Sequence, residues 1–270
     1  MVIAHRGASG YAPENTLAAF DLAARLGADG VEFDVGLSVD EQPVVIHDRT
    51  VDRTTNGSGN VAFLTTHELA RFDAGTRFEK NISSKRRANL SPNPAAALDH
   101  TRFHCGVPSQ EETLALLAET DLARIYIELK GAPSTRSVLL GSSLRIIRRS
   151  KAKRRVTLLS FDHELIAAAK TAQPDIRAAV TVHIARGVIP RTRSLAKSAS
   201  RAGAVEVALH HALATRRRVD ALHDLGLAVS AWTANAKSTM RRLIARGVES
   251  IMTNYPDRLD GVIDSSVSSY

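Results

Sequence analysis

Eight short runs rich in β-branched and other apolar residues recur along this chain, at 2–5, 30–35, 125–129, 156–160, 176–181, 204–208, 227–232 and 250–253. Between most of them lie Ala/Leu/Arg-rich segments with helical spacing, at 16–26, 111–120, 135–150, 162–171, 191–202, 215–225 and 238–246. Strand–helix alternation of this kind predicts a parallel sheet with crossover helices. Eight repeats predict an α/β fold closed as a TIM (β/α)8 barrel, and 270 residues suit the roughly 250 such a barrel needs. The count holds only if 44–47 is a hairpin arm above the barrel; the alternative makes it a ninth barrel strand. An apolar content of 44% with only 4% aromatic fits a core of Ala, Val, Leu and Ile. Asn15 or Thr16, Ser109 (with Glu112 following) and Asp162 are the expected helix N-caps, and Gly27 and Gly247 the expected stops.

The rhythm breaks between 48 and 110, where Gly57-Ser58-Gly59 and the prolines Pro92, Pro94 and Pro108 fall. Loops of this length inside a compact domain are usually functional. The stretch is read as an insertion after the second strand, over the active-site face of a single domain spanning 1–270, and the serine-rich tail 264–270 is expected to fray. No segment approaches the ~20 apolar residues of a membrane span. Met1-Val2-Ile3-Ala4 runs straight into His5 without the pattern of a secretory signal, so a cytoplasmic protein is expected. One cysteine, Cys105, excludes an internal disulfide and any multi-cysteine metal site. The net charge of +8 comes from clusters at 85–87, 145–155, 191–201 and 216–218. They read as a solvated outer face, suited at most to weak contact with an anionic membrane surface. No nucleic-acid motif or aromatic stacking pattern accompanies them.

Side chains on a strand alternate, so Glu32 and Asp34 share one face. A hairpin centred on Asp40-Glu41 is expected to bring His47 level with Asp34. In such a barrel, function collects at the carboxyl ends of the strands. That rule selects His5-Arg6-Gly7, Glu32, Asp34, Glu128, Lys130, Phe161 and Trp232. Glu128 and Lys130 repeat the two-residue spacing, and Glu128 adds a third carboxylate. Three carboxylates suit one divalent cation, Mg²⁺ or Ca²⁺. Arg6 and Lys130 beside them favour a phosphate. Two imidazoles, His5 and His47, can take and give a proton. Together these residues describe phosphodiester cleavage. Taken singly, His5 could be a satisfied core histidine, Lys130 a snorkelling cation and Glu128 an ion-pair partner.

His5-Arg6-Gly7, Pro13-Glu14-Asn15-Thr16, the run from Gly27 to Val35, Val44-Val45-Ile46-His47-Asp48 and Arg53-Thr54-Thr55 form an ordered series that resembles the glycerophosphodiester phosphodiesterase family. Ile127-Glu128-Leu129-Lys130, Ser160-Phe161, Trp232-Thr233-Ala234-Asn235 and Ile251-Met252-Thr253-Asn254-Tyr255-Pro256 extend the resemblance along the chain. It implies a TIM-type barrel with a small insertion after the second strand, hydrolysing glycerophosphodiesters to an alcohol and glycerol 3-phosphate. By the same resemblance Glu32, Asp34 and Glu128 hold the cation, His5 and His47 are the acid/base pair, Arg6 and Lys130 contact phosphate, and Trp232 lies near the substrate's organic part. The nucleophile is water or the neighbouring glycerol hydroxyl. Residues 107–112 and 77–105 depart from the family pattern, which leaves the insertion's shape and the head group open. Two other functions remain on the same residues: a lysophospholipase D-like or cyclising lipid phosphodiesterase, and a non-catalytic phosphate-ligand binding protein.

Overall fold

A computed structural model describes residues 1–81, 105–131, 134–184 and 189–259. Among the described residues there are nine strands: β1 (Val2–His5), β2 (Gly30–Leu37), β3 (Pro43–Val45), β4 (Arg124–Leu129), β5 (Val156–Ser160), β6 (Arg177–Val182), β7 (Glu206–His210), β8 (Ala228–Trp232) and β9 (Ser250–Thr253). Eight of them pair in parallel, and a β1–β2 pairing closes the ring into a barrel. β3 alone runs antiparallel, on β2, and is a hairpin arm rather than a barrel strand.

Helices return the chain between barrel strands: α1 (Leu17–Arg25), α2 (Thr66–Arg71), α3 (Gly75–Asn81), α4 (Gln110–Ala118), α5 (Arg136–Arg149), α6 (His163–Ala172), α7 (Thr192–Arg201), α8 (Arg216–His223) and α9 (Lys237–Ala245). The expected caps start three of them. Thr16 accepts from the Ala19 amide, Ser109 and Glu112 form a reciprocal capping box, and Asp162 accepts from the Glu164 and Leu165 amides. Basic residues also have structural work here. Arg155 donates to the carbonyls of Leu117, Thr120 and Leu122, closing the C-terminal end of α4. Arg145, Arg148, Arg149, Arg216 and Arg217 are exposed.

Alternation along each strand divides the side chains between two cores. Outward residues such as Val31, Phe33, Ile125, Ile127, Leu158 and Val207 pack under the helices; Phe33 meets Phe20 of α1 with ring centroids 5.6 Å apart. Truncating a buried phenylalanine of this kind costs roughly 3–5 kcal/mol. Inward residues Ile3, Tyr126, Leu159, Ala179, Ala208 and Met252 fill the barrel. Aliphatic packing in the middle leaves polar inward positions at both rims.

The hairpin differs from its expected register by one residue. Leu37 pairs with Pro43 and Gly36 with Val44, and the Ile46 amide donates to the Asp34 carbonyl at 3.0 Å. Ile46, not His47, therefore lies level with Asp34. The cause is the turn, which uses three loop residues where two were expected, with Glu41 in the left-handed region at φ 58°. Ser38 fixes it by accepting from the Gln42 amide at 3.0 Å. Beyond β3, Val51, Val61, Leu69 and Val107 pack against Val44 and Ile46 of the hairpin arm in a small separate core. Pro92, Pro94, the basic run 85–87 and the tail 264–270 lie outside the described residues. Among the described residues no helix is long and apolar enough to cross a membrane.

Candidate active site

Strand register decides what meets at the carboxyl end of the barrel. His5 pairs with Glu32, and Asp34 pairs with Glu128, so residues from three adjacent strands stand at neighbouring heights. The carboxylate oxygens of Glu32, Asp34 and Glu128 lie within 4.8 Å of one another, all buried. At the end of β1 the chain turns through two consecutive left-handed residues, Arg6 at φ 59° and Gly7 at φ 76°. Gly7 is required twice over, since a β-carbon there would sit 2.6 Å from the Ala19 backbone. A left-handed arginine is a strained conformation that the surroundings must hold. Here they do: the Arg6 amide donates to Glu32 at 3.1 Å, and its side chain reaches Asp34 at 3.0 Å and Glu14 at 2.8 Å.

Lys130 Nζ stands 3.0 Å from Asp34 and 2.5 Å from Glu128. Two cations thus face three acids, and the imbalance is visible in the acids themselves. Arg6, Lys130 and His47 outweigh burial at Asp34 and hold its carboxyl well below the usual range. Burial and the charges of Asp34 and Glu128 push Glu32 well above it. Burial and Asp34 likewise push Glu128 up to about 7. A dry triad one positive charge short fits a divalent cation: hard oxygen donors, no thiolate, and like charges that a dication would relieve.

Each imidazole is oriented through Nδ1. His5 Nδ1 is 2.9 Å from the Asn254 amide oxygen, and His47 Nδ1 is 2.6 Å from Asp48 Oδ1. With Nδ1–H donated in each case, Nε2 is the ring nitrogen left for chemistry. Burial and the Arg6 charge lower the His5 pKa to about 4, which keeps that ring neutral. Despite the shifted hairpin, His47 lines the same cavity of about 250 Å³ as His5, Arg6, Glu32, Glu128, Lys130 and Trp232. The Trp232 indole donates to the Ala208 carbonyl at 3.2 Å, and its ring meets Phe161 edge-on at 5.5 Å. It forms the apolar wall opposite the charges.

Several supporting residues escaped assignment from sequence. Asn15, itself left-handed at φ 58°, donates to Asp34 Oδ2 at 2.9 Å. Arg53 donates through Nε to Asp48 at 2.5 Å and through both terminal nitrogens to Glu14 at 2.9 and 2.7 Å. Their signal was present, since Glu14, Asn15, Asp48 and Arg53 all sit in short polar motifs. Nothing in a linear motif says which side chain another will touch.

The profile of the glycerophosphoryl diester phosphodiesterase family matches residues 5–258. A Bacillus subtilis protein provisionally named glycerophosphodiester phosphodiesterase is 37% identical, with 95% of each chain covered. A glycerophosphodiester phosphodiesterase of Caldanaerobacter subterraneus is 30% identical, with 97% of each covered. Among solved structures, an Oleispira antarctica phosphodiesterase in complex with the product sn-glycerol-3-phosphate superposes with a TM-score of 0.83 at 26% identity, covering 98% of this chain and 96% of that one.

Proposed function

The chain belongs to the glycerophosphoryl diester phosphodiesterase family, and from that premise we propose that it hydrolyses glycerophosphodiesters to an alcohol and glycerol 3-phosphate at the cavity bounded by His5 and His47. The single observation that carries this reading is the pair of imidazoles, each fixed at Nδ1, lining one cavity with Glu32 and Glu128 of the carboxylate triad and with Arg6 and Lys130. Binding a phosphate needs the cations; it does not need two oriented proton-transfer groups.

Glu32, Asp34 and Glu128 would hold a divalent cation, which when bound neutralises charge on the phosphoryl oxygens. Arg6 and Lys130, at the rim of the triad, hold the remaining oxygens and the phosphorus in line. One Nε2 accepts a proton from the attacking hydroxyl, supplied by water or by the glycerol carbon next to the ester. A new P–O bond forms, the P–O bond to the alcohol breaks, and the other Nε2–H protonates the departing alkoxide. With water as the attacking group this gives glycerol 3-phosphate directly; with the glycerol hydroxyl it gives a cyclic phosphate that a water then opens to glycerol 3-phosphate, the two histidines in exchanged roles. Trp232 and Phe161 supply the apolar side of the cavity.

The test is a chelated and then reconstituted assay over a panel of water-soluble glycerophosphodiesters. His5→Ala and His47→Ala are each expected to lower kcat on the order of 10²–10⁴-fold while leaving the melting curve in place. Full activity in the double variant would reject the assignment. Preference for lysolipids over the soluble diesters would move the chain to the lipid-cleaving reading.

A further inference from the structure

A second cavity, of about 270 Å³, opens beside the first, and His5 and Arg6 belong to the walls of both. The two differ in chemistry. The barrel-centre cavity is walled by Leu159, Phe161, Trp232 and Met252. Its neighbour is walled by Ser9, Glu14, Arg53, Arg77 and Asn254. A phosphodiester has two ester arms, so a phosphoryl group at the shared wall sends one arm into each. Glycerol is common to every substrate in the proposed reaction, and it is assigned to the barrel-centre side, which also carries Glu32, His47, Glu128 and Lys130. The variable alcohol is left with the polar side.

We propose that this second cavity seats the alcohol arm and selects alcohols that carry a further negative charge, with Arg77 as the specificity-determining cation. The inference rests on the diesterase reading above. Among the described residues three guanidinium groups and one carboxylate line the cavity, but they are not equally available. Arg6 is already met by Asp34 and Glu14, and Arg53 by Glu14 and Asp48. Arg77 is different. Its Nε donates to the Thr55 carbonyl at 2.8 Å, which fixes the stem; among the described residues no carboxylate lies in direct ion-pair contact with it, and the exposed Asp52 acts on it only through its charge. It is exposed and sits on α3, within the insertion, where the sequence leaves the family pattern. A guanidinium held by its stem at the edge of a polar cavity, with no carboxylate in direct contact among the described residues, attracts an anion and repels a cation.

The experiment compares kcat/KM of the full chain, with saturating divalent cation, for three diesters. Their alcohols are choline (cationic), glycerol (neutral) and an inositol monophosphate (anionic). The unaltered chain is expected to favour the anionic over the choline diester by about tenfold at low salt, the order of one charge pair near a protein surface. Arg77→Gln should level that ranking and Arg77→Glu should reverse it. Arg216→Glu, on the exposed face of α8, should leave the ranking as it was. A measurement on the unaltered chain decides independently of any folding defect. Raising salt from about 20 to about 300 mM must depress the anionic diester more than the neutral one, because screening removes the Arg77 term first. Equal salt dependence, or a ranking unmoved by both Arg77 variants, overturns the proposal. If the neutral diester is turned over in either case, the diesterase reading survives; if no diester is turned over at all, that reading is what has failed.

Discussion

His47 Nδ1 lies 2.6 Å from Asp48 Oδ1, and the other oxygen of the same carboxylate accepts from Arg53 Nε at 2.5 Å. The hydrogen bonds from Arg53 and His47 outweigh burial and hold the Asp48 carboxyl below its ordinary range, so it is ionised wherever His47 works. A carboxylate in this position fixes the ring's tautomer and aim. Asp48→Asn keeps the volume but weakens that grip. It is expected to lower kcat roughly 10–100-fold, with KM changed by less than about threefold, in steady-state assays on a soluble glycerophosphodiester. An unchanged kcat would mean that His47 needs no orienting partner.

Arg53 does for two functional side chains what Asp48 does for one. Its fork joins Asp48, which holds His47, to Glu14, which holds Arg6. Arg53→Ala should therefore lower kcat and raise KM together, while Arg53→Lys, with charge but no planar fork, recovers only part. In a double-mutant cycle with Asp48→Ala the two losses should fall short of additive, because the second change removes a contact the first has already broken. Strict additivity would separate Arg53 from His47.

The carboxylate triad predicts a metal effect that can be read without turnover. A divalent cation at a hundredfold excess over its Kd adds about 2.7 kcal/mol to folding, roughly 5–10 °C in Tm for a chain of this size. Mg²⁺ or Ca²⁺ should raise the Tm of the chelator-treated chain. Glu32→Gln and Glu128→Gln, which remove one ligand charge from the buried group, should abolish most of that rise. Equal metal-induced shifts in both variants and the unaltered chain would place the binding elsewhere.

The barrel and the convergence of the site residues were legible because both follow from period and position. Alternation along Glu32-Phe33-Asp34 and Glu128-Leu129-Lys130 assigns faces without any knowledge of the partner strand. What sequence could not supply was the hairpin register. A two-residue and a three-residue turn are both compatible with Ser38 to Gln42, and the choice rests on Ser38 capping the Gln42 amide and on Glu41 tolerating a positive φ. His47 reaches the cavity all the same, since it lies beyond the last paired residue of β3, where the shift of one no longer dictates its direction. The bridging roles of Glu14, Asn15 and Arg53 were hidden for another reason: they depend on contacts between loops separated by up to 39 residues.

At the opposite end of the barrel interior, Glu206 on β7 is buried, with the Tyr126 hydroxyl donating to it at 3.0 Å. Burial raises its pKa, outweighing the hydroxyls of Ser230 and Tyr126 and the charges of Arg124 and Arg177. An acid whose folded pKa is raised binds its proton more tightly in the folded chain. Stability therefore falls as pH rises from the unfolded carboxyl value, about 4.3, through the folded one. Glu206→Gln keeps the shape, stays neutral at every pH, still accepts from Tyr126, and offers an amide to the Ser230 Oγ, which is buried without an aligned hydrogen bond. The variant should gain on the parent as pH rises from about 4 to about 8, because only the parent loses stability as its raised carboxyl is forced to ionise. Urea midpoints at the two pH values measure this. A difference that is flat across pH would show that folding leaves the Glu206 carboxyl unshifted, and one that favours the parent at the higher pH would show that it is stabilised as the carboxylate by Arg124 and Arg177.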